Sequence, residues 1–386
     1  MKSLIRCALI VAATNAFVPV PSPAQEPPTL RLTRELRIDA AEQDLSTINW
    51  LTVAPNGTIA VSQPQDGLIR FFTASGTPLG SFGRKGRGPG EFEQLARGGW
   101  LADSLWVSDF STRRFTIIDP DRTLTRTVPW VATLAFPARP PGEVRTTSVA
   151  ARAILPGNAQ VLQVNLPADG TWPGGKKSNE ATVRAASTGS FERVLAWRPE
   201  VDCLFSRPIT FEGRSGVATM IVPFCGSPID DISADGSRYV ATEILPGRDR
   251  RGQYRVSAFR TSGDSLWSRA FEYEIESIPA SVLDSVITQR SGRSGAGAAA
   301  ELRAKTPRVY PPLLRVLAGR DQSTWLERYS VSGQREWIVL DGRGSVAGTM
   351  SVPRNLRILA ASLDALWATE TDDDGLQHIV RYRITR

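Results

Sequence analysis

Two kinds of tight turn alternate along this chain, and the alternation restricts its fold more than any other feature. In the first kind a short polar turn leads into a β-branched or aromatic run. Pro55-Asn56-Gly57 precedes Thr58 to Val61, Ala102-Asp103-Ser104 precedes Leu105 to Val107, and Pro156-Gly157-Asn158 precedes Gln160 to Leu162. Asp235-Gly236-Ser237 precedes Tyr239 to Ala241, Asp321-Gln322-Ser323 precedes Thr324 to Leu326, and Leu363-Asp364 precedes Ala365 to Trp367. The second kind falls between them, at Phe72 to Gly76, Ile118 to Asp121, Ala186 to Gly189, Phe259 to Gly263 and Leu340 to Gly344. Six turns of one kind thus alternate with five of the other.

A four-stranded antiparallel blade needs an inner and an outer hairpin. The count therefore describes a six-bladed β-propeller whose last blade lacks one strand, and an open sheet edge of that kind is normally avoided. Leu30 to Ile38 alternates apolar and polar residues with period two, as a strand does, and is expected to pair with the C-terminal run Ile379 to Ile384 and close the ring. The expected fold class is all-β, a single propeller domain over residues 25–386. The only helical text, residues 278–305, falls between blades four and five. There Val282, Val286 and Ala298 to Leu302 flank a flexible Ser291 to Gly297 stretch, which reads equally as a lid over the channel or as a solvated spacer.

Between the first two repeats lies Phe82-Gly83-Arg84-Lys85-Gly86-Arg87-Gly88-Pro89-Gly90-Glu91-Phe92. It resembles the G-x-G-P-G-E-F inter-blade signature of NHL-repeat and related bacterial six-bladed propellers. Asp109, Arg113-Arg114 and Phe115 to Asp119 resemble the rest of that repeat. The resemblance covers residues 80 to 120 and implies the fold. It leaves the chemistry open, because the wider group includes binding modules, lactonase-like hydrolases and a lyase. Gly86, Gly88 and Gly90 are expected to supply positive φ angles, with Pro89 fixed between two of them. No helix or Walker-type Lys-Ser/Thr follows, so the loop reads as a connector and not as a phosphate cradle.

Residues 1–24 read as a signal peptide: Lys2 and Arg6 before an apolar Cys7 to Val20, then Ser22-Pro23-Ala24 as a cleavage site. The apolar run is short and broken by Asn15 and Pro19, so no transmembrane segment is expected. A periplasmic or secreted location follows, and there the two remaining cysteines, Cys203 and Cys225, are expected to pair. The formal charge of +7 would fall to +5 with loss of Lys2 and Arg6. That modest excess suits an anionic partner. The expected partner is a protein, a glycan or an anionic small molecule, met by a monomer. Nucleic acid is not expected of an exported chain without an aromatic stacking face.

Long insertions fall in two loop classes that share one face of a propeller: the connectors between blades and the middle loops within them. Trp130 to Arg145 is a Pro-rich connector, Leu166 to Ala181 is the middle loop of blade three, and Pro246 to Gly252 is that of blade four. Ile209 to Phe224 reads as an extra hairpin clamped by the two cysteines. These loops concentrate Lys85, Arg87, Lys176, Lys177, Arg248, Arg250 and Arg251, with Arg290 and Arg293 in the helical insertion. They are the candidate ligand-binding residues, since guanidinium groups suit carboxylate or phosphate. Ordinary solvated loop charge is the competing reading.

Catalytic chemistry is sparse. His378 is the sole histidine, and no G-x-S-x-G elbow accompanies it, so no catalytic residue is assigned. Asp372 to Gly375 reads as a hairpin turn in blade six and lacks the ligand spacing of an EF-hand. A lactonase-like propeller would hold a divalent metal such as calcium in its channel through Glu, Asn and Asp. The candidates for that role are Asn49, Asp109, Asp231 and Asn355. Two functions stand: an exported, non-catalytic binding or scaffolding propeller, expected without a cofactor, or a metal-dependent hydrolase or lyase.

Overall fold

The computed structural model describes residues 26–138, 142–167, 178–198, 203–211, 214–248, 250–292, 295–330 and 333–386. The expected signal peptide, Lys176, Lys177 and Arg293 lie outside these residues, and of Arg248 only the backbone is described.

Strands form where the turns predict them, because the polar turn residues satisfy the backbone that each reversal frees. Asp119 accepts from the N–H (2.8 Å) and hydroxyl (2.6 Å) of Thr123, and Asp341 accepts from the N–H groups of Arg343 and Ser345, each at 2.9 Å. Asn56 does the same for Thr58 at 2.9 Å. The strand after each first-kind turn carries a large residue into the blade core. Trp106 and Trp325 are fully buried and meet Phe115 and Trp337 edge to face at 5.8 and 6.2 Å. Such pairs contribute about 0.5–1.5 kcal/mol each beyond the area they bury.

The result is a six-bladed β-propeller of six four-stranded antiparallel sheets, with two further two-stranded sheets. The inner strands, which surround the channel, are Leu51–Val53, Leu95–Leu101, Ser148–Ile154, Asp230–Ile232, Leu313–Ala318 and Leu356–Ala361. Closure is as expected. Arg31–Ile38 is the outermost strand of blade six and pairs antiparallel with Gln377–Thr385, from Arg31 opposite Thr385 to Ile38 opposite Ile379. Just before it, Leu30 donates its N–H to the Thr349 carbonyl at 2.8 Å, so the closing segment also grips the outer strand of blade five. Among the described residues, no helix is long and apolar enough to cross a membrane.

The insertions differ from expectation in detail. The supposed middle loop of blade four is largely strand: Arg238–Arg248 pairs with Arg251–Arg260, and a bulge between Leu245 and Arg248 takes up Pro246. A bulge tolerates a residue without an N–H. The extra hairpin starts earlier than expected, as Leu204–Phe211 paired with Arg214–Ile221. The disulfide Cys203–Cys225 spans its base, with Cα atoms 5.5 Å apart. The Pro-rich connector contains a hairpin of its own, Ala135–Ala138 with Gly142–Arg145, anchored by buried Phe136 against Phe191 (4.8 Å) and Trp197 (5.8 Å).

Two helices, Ala280–Ser291 and Gly295–Lys305, occupy the insertion between blades four and five and extend into the stretch expected to be flexible. Tertiary packing overrides the Gly/Ser-rich composition. Leu283 and Ile287 pack with Phe224 and Tyr310, and Leu302 packs with Val222, so the helices rest on the disulfide-linked segment.

Candidate functional site

The connector signature between blades one and two is built for rigidity. Fully buried Asp109 accepts the N–H groups of Glu93 (2.7 Å), Gln94 (3.0 Å) and Thr112 (2.8 Å). Arg114 donates to the carbonyls of Gly88 and Glu91, and Glu91 accepts the Gly88 N–H at 2.7 Å. That N–H, with the guanidinium of Arg84, holds the Glu91 carboxyl below the usual carboxylate range. Gly86 and Gly90 have positive φ as expected, whereas Gly88 does not. Gly88 is small for another reason: a Cβ there would sit 3.0 Å from the Glu91 carboxylate.

Among the described residues the loop cations fall in two groups. Lys85 is tied to the carbonyls of Pro64 (3.1 Å) and Glu93 (3.0 Å), and Arg87 pairs with Glu93. Arg251 pairs with Glu272 at 3.1 Å, at the tip of blade four beside Arg250. The first group lies between blades one and two, so blade three separates it from the second on one side, and blades five and six on the other.

Cationic side chains gather instead in the channel, around a cavity of about 300 Å³. Four inner strands carry a β-bulge: between Leu95 and Arg97, Ala151 and Ala153, Leu313 and Arg315, and Ile358 and Ala360. Bulges bend a strand and re-aim its side chains. Arg97 of blade two, Arg315 of blade five and Arg357 of blade six line the cavity with Asp230 and Asp231 of blade four. Arg152 is the bulged residue of blade three and joins this set through Asp230.

The pairings cross blades. Arg97 reaches over blade three to Asp231 at 3.1 Å, and the other Asp231 oxygen accepts the Ala318 N–H of blade five at 2.9 Å. Asp231 thus bridges the channel. Asp230, with a side chain only 6% exposed, accepts from Arg152 at 2.7 Å and also from Arg198. Arg315 donates to the Ile358 carbonyl, and Glu327, to which Arg335 also bonds at 2.7 Å, lies 3.6 Å from it. Burial pulls the Arg315 guanidinium down to about 10, with the charge of Arg357 adding to the effect. Burial lowers Arg152 as well, and the charge of Arg97 acts in the same direction. Arg357 is exposed to the cavity and makes no ion pair or hydrogen bond among the described residues.

Further bonds tie the blades together at the turns that follow the inner strands. The N–H of Trp100 in blade two donates to the Ala234 carbonyl of blade four at 2.7 Å. Gly98 and Gly99 make this approach possible: a Cβ at Gly99 would sit 2.1 Å from that carbonyl, and one at Gly98 would strike the Trp50 ring at 2.5 Å. Arg320 of blade five stacks on Trp367 at 5.0 Å and donates to the Ala54 carbonyl of blade one at 2.9 Å.

Of the metal candidates, Asn49 and Asp231 line the cavity. Asp109 is the loop clamp described above, and Asn355 donates to the Thr371 carbonyl at 2.9 Å at the surface. Among the described residues no three His, Cys, Asp or Glu side chains converge. His378 is buried, with its ring nitrogens facing Ala40, Asp39 and Asp372. Its Nδ1 accepts the Ala40 N–H (3.1 Å), which leaves Nε2 to donate to Asp372 (2.8 Å), so it secures the turn after the closing strand.

The loop residues were candidates because their charges cluster in sequence, while the channel residues are scattered. A signal for them nevertheless exists. Asn49, Arg97, Arg152, Asp231, Arg315 and Arg357 each stand four to six positions before one of the six first-kind turns.

By sequence, the chain matches no protein-family model and no curated protein. Among solved structures it is similar to a DUF4221-family member from Bacteroides vulgatus, at 11% identity and a TM-score of 0.48, covering 94% of this chain and 100% of that one. It is also similar to virginiamycin B lyase from Staphylococcus aureus, at 11% identity and a TM-score of 0.39, covering 92% and 99%. These likenesses carry no argument about chemistry.

Proposed function

We propose that this chain is an exported, non-catalytic binding propeller that takes a small anionic ligand into the arginine-lined channel. One observation carries the reading. Arg357 lines the cavity without an ion-pair or hydrogen-bond partner among the described residues, beside Arg315 and Arg97, whose positions are fixed by bonds that cross blades. Guanidinium groups held in place suit carboxylate and phosphate, because the protein need not reorganise to bind. A cavity of about 300 Å³ is at the small end for ligand sites, which suits a di- or tricarboxylate or a single acidic sugar. Export rests on the leader-like residues 1–24 and agrees with the Cys203–Cys225 disulfide. The NHL-type likeness of residues 80 to 120 belongs to the same proposal, supported by the Asp109 and Arg114 clamps on the connector.

A metal-dependent hydrolase is the second reading, favoured by Asn49 and Asp231 sharing the cavity. Against it, each oxygen of Asp231 already accepts a hydrogen bond, from Arg97 and from the Ala318 N–H. One experiment separates the two. The chain from Gln25 is purified without chelator, its metals are measured by mass spectrometry, and it is titrated calorimetrically with citrate, malate and glucuronate. Binding of one anion, weakened at least tenfold by Arg357→Gln, is the expected result. A stoichiometric divalent metal whose removal by EDTA lowers the melting temperature would overturn the proposal in favour of the hydrolase.

A further inference from the structure

The face opposite the connectors carries a second cavity, of about 290 Å³, beneath blades four and five. Arg238, Arg260 and Arg320 contribute to its wall, together with Asp235 and Asp321. Arg238 and Arg260 are direct partners in the ladder between the second and third strands of blade four. Cross-strand partners project from the same side of a sheet, and like charges so placed repel.

Neither guanidinium has a carboxylate within ion-pair distance among the described residues. Arg238 is only 3% exposed, yet its bonds go to neutral acceptors: the Ser323 carbonyl at 2.7 Å and the Thr324 hydroxyl. Its Nε has no hydrogen-bond partner among the described residues, and its guanidinium lies over the Trp267 ring at 5.8 Å. Burial pulls this group down to about 10. The side chain of Arg260 makes no hydrogen bond or ion pair among the described residues.

The two acids in the wall are bonded to backbone N–H and hydroxyl donors and act on Arg238 only through their charge. Asp235 accepts from Ser233, from the Ser237 N–H and from the Ser237 hydroxyl, at 2.5, 3.1 and 2.7 Å. Asp321 accepts from the Ser323 N–H and hydroxyl, at 3.2 and 2.6 Å, and from the Leu363 N–H at 2.7 Å. Buried charges are ordinarily paired. Here two arginines stand in register at one cavity with no counter-charge bonded to either.

We infer that this cavity, which meets the channel cavity only at Ser233 and Arg320, is a second anion site in which Arg260, with the Arg238 charge behind it, holds a small oxoanion such as a phosphate group. Arg260 is exposed and free to donate in bidentate fashion, and an anion held there would add a counter-charge beside the buried Arg238. The site does not depend on the reading of the channel.

The test uses the chain from Gln25 at constant ionic strength, with inorganic phosphate and glycerol phosphate as probes. Thermal melting and calorimetry are applied to the wild type, Arg260→Gln and Arg357→Gln. Phosphate is expected to raise the melting temperature of the wild type and of Arg357→Gln alike, and Arg260→Gln is expected to weaken binding at least tenfold. Because Arg260 is exposed, its replacement leaves the core intact, and loss of the like-charge pair should raise the melting temperature without phosphate. Tighter binding of glycerol phosphate would assign the site to a phosphate monoester, and tighter inorganic phosphate to the free ion. Unchanged affinity in Arg260→Gln, loss of the effect in Arg357→Gln alone, or no phosphate effect on the wild type would each overturn the proposal.

Discussion

The arginines of the outer loops and those of the channel look alike in composition, yet they are held in opposite ways. Arg87 pairs with Glu93, six residues away, and Arg84 with Glu91, seven away. Arg97 and Asp231 are 134 residues apart, Arg152 and Asp230 are 78 apart, and Arg320 reaches the Ala54 carbonyl across 266. The loop pairs neutralise charge where it arises and sit in water, where an ion pair contributes little. The channel pairs are partly desolvated and join different blades. Charge density in sequence therefore marks the solvated pairs, and the sequence distance of the partner marks those that join blades.

Breaking the channel set should cost most. Asp230→Ala strands Arg152 in a nearly dry environment, while Arg198 keeps Glu180 at 3.1 Å, and is expected to cost about 3–5 kcal/mol in urea unfolding. A loss below about 1 kcal/mol would mean that these charges are solvated and that the contrast with the loops is false.

Arg97→Gln removes one link across the channel and should cost about 1–2 kcal/mol, while weakening the binding of a channel anion. Stability lost without any change in affinity would separate the scaffold from the site. In the loops, Arg87→Gln and Arg251→Gln should each change stability by less than about 1 kcal/mol and leave anion titrations untouched. A tenfold loss of affinity in either would restore the loop face as the binding surface.

The smallest effect is expected from acid. Asp119, through the Thr123 hydroxyl and N–H, and Asp372, through His378 and the Leu376 N–H, are held below the usual carboxylate range, as is Glu91 through the Gly88 N–H. A carboxylate lowered in the folded state stabilises above its unfolded value of about 4, and that contribution disappears as pH falls through the lower folded value. The melting temperature should stay level down to about pH 5 and then decline gradually. A rise on acidification would contradict the hydrogen bonds assigned to these turns.

The disulfide and the hairpin at Asp372 were legible beforehand, because both follow from local chemistry: two cysteines in a chain read as exported, and an aspartate ahead of a glycine turn. The boundaries of the insertions were not. Ser291 to Gly297 looks flexible until Val222, Phe224 and Tyr310 are brought beneath the helices around it. Pro246 looks like a loop residue until a bulge absorbs it.

By itself, the sequence determined the blade count and the closing strand. Turns act over a few residues, their alternation counts hairpins directly, and the period-two pattern of residues 30–38 marks a strand that the last blade lacks. Tertiary structure alone decided which charges meet in the channel. The channel residues come one or two to a blade, far apart in the chain, and only ring closure and the bulged inner strands turn them toward one another.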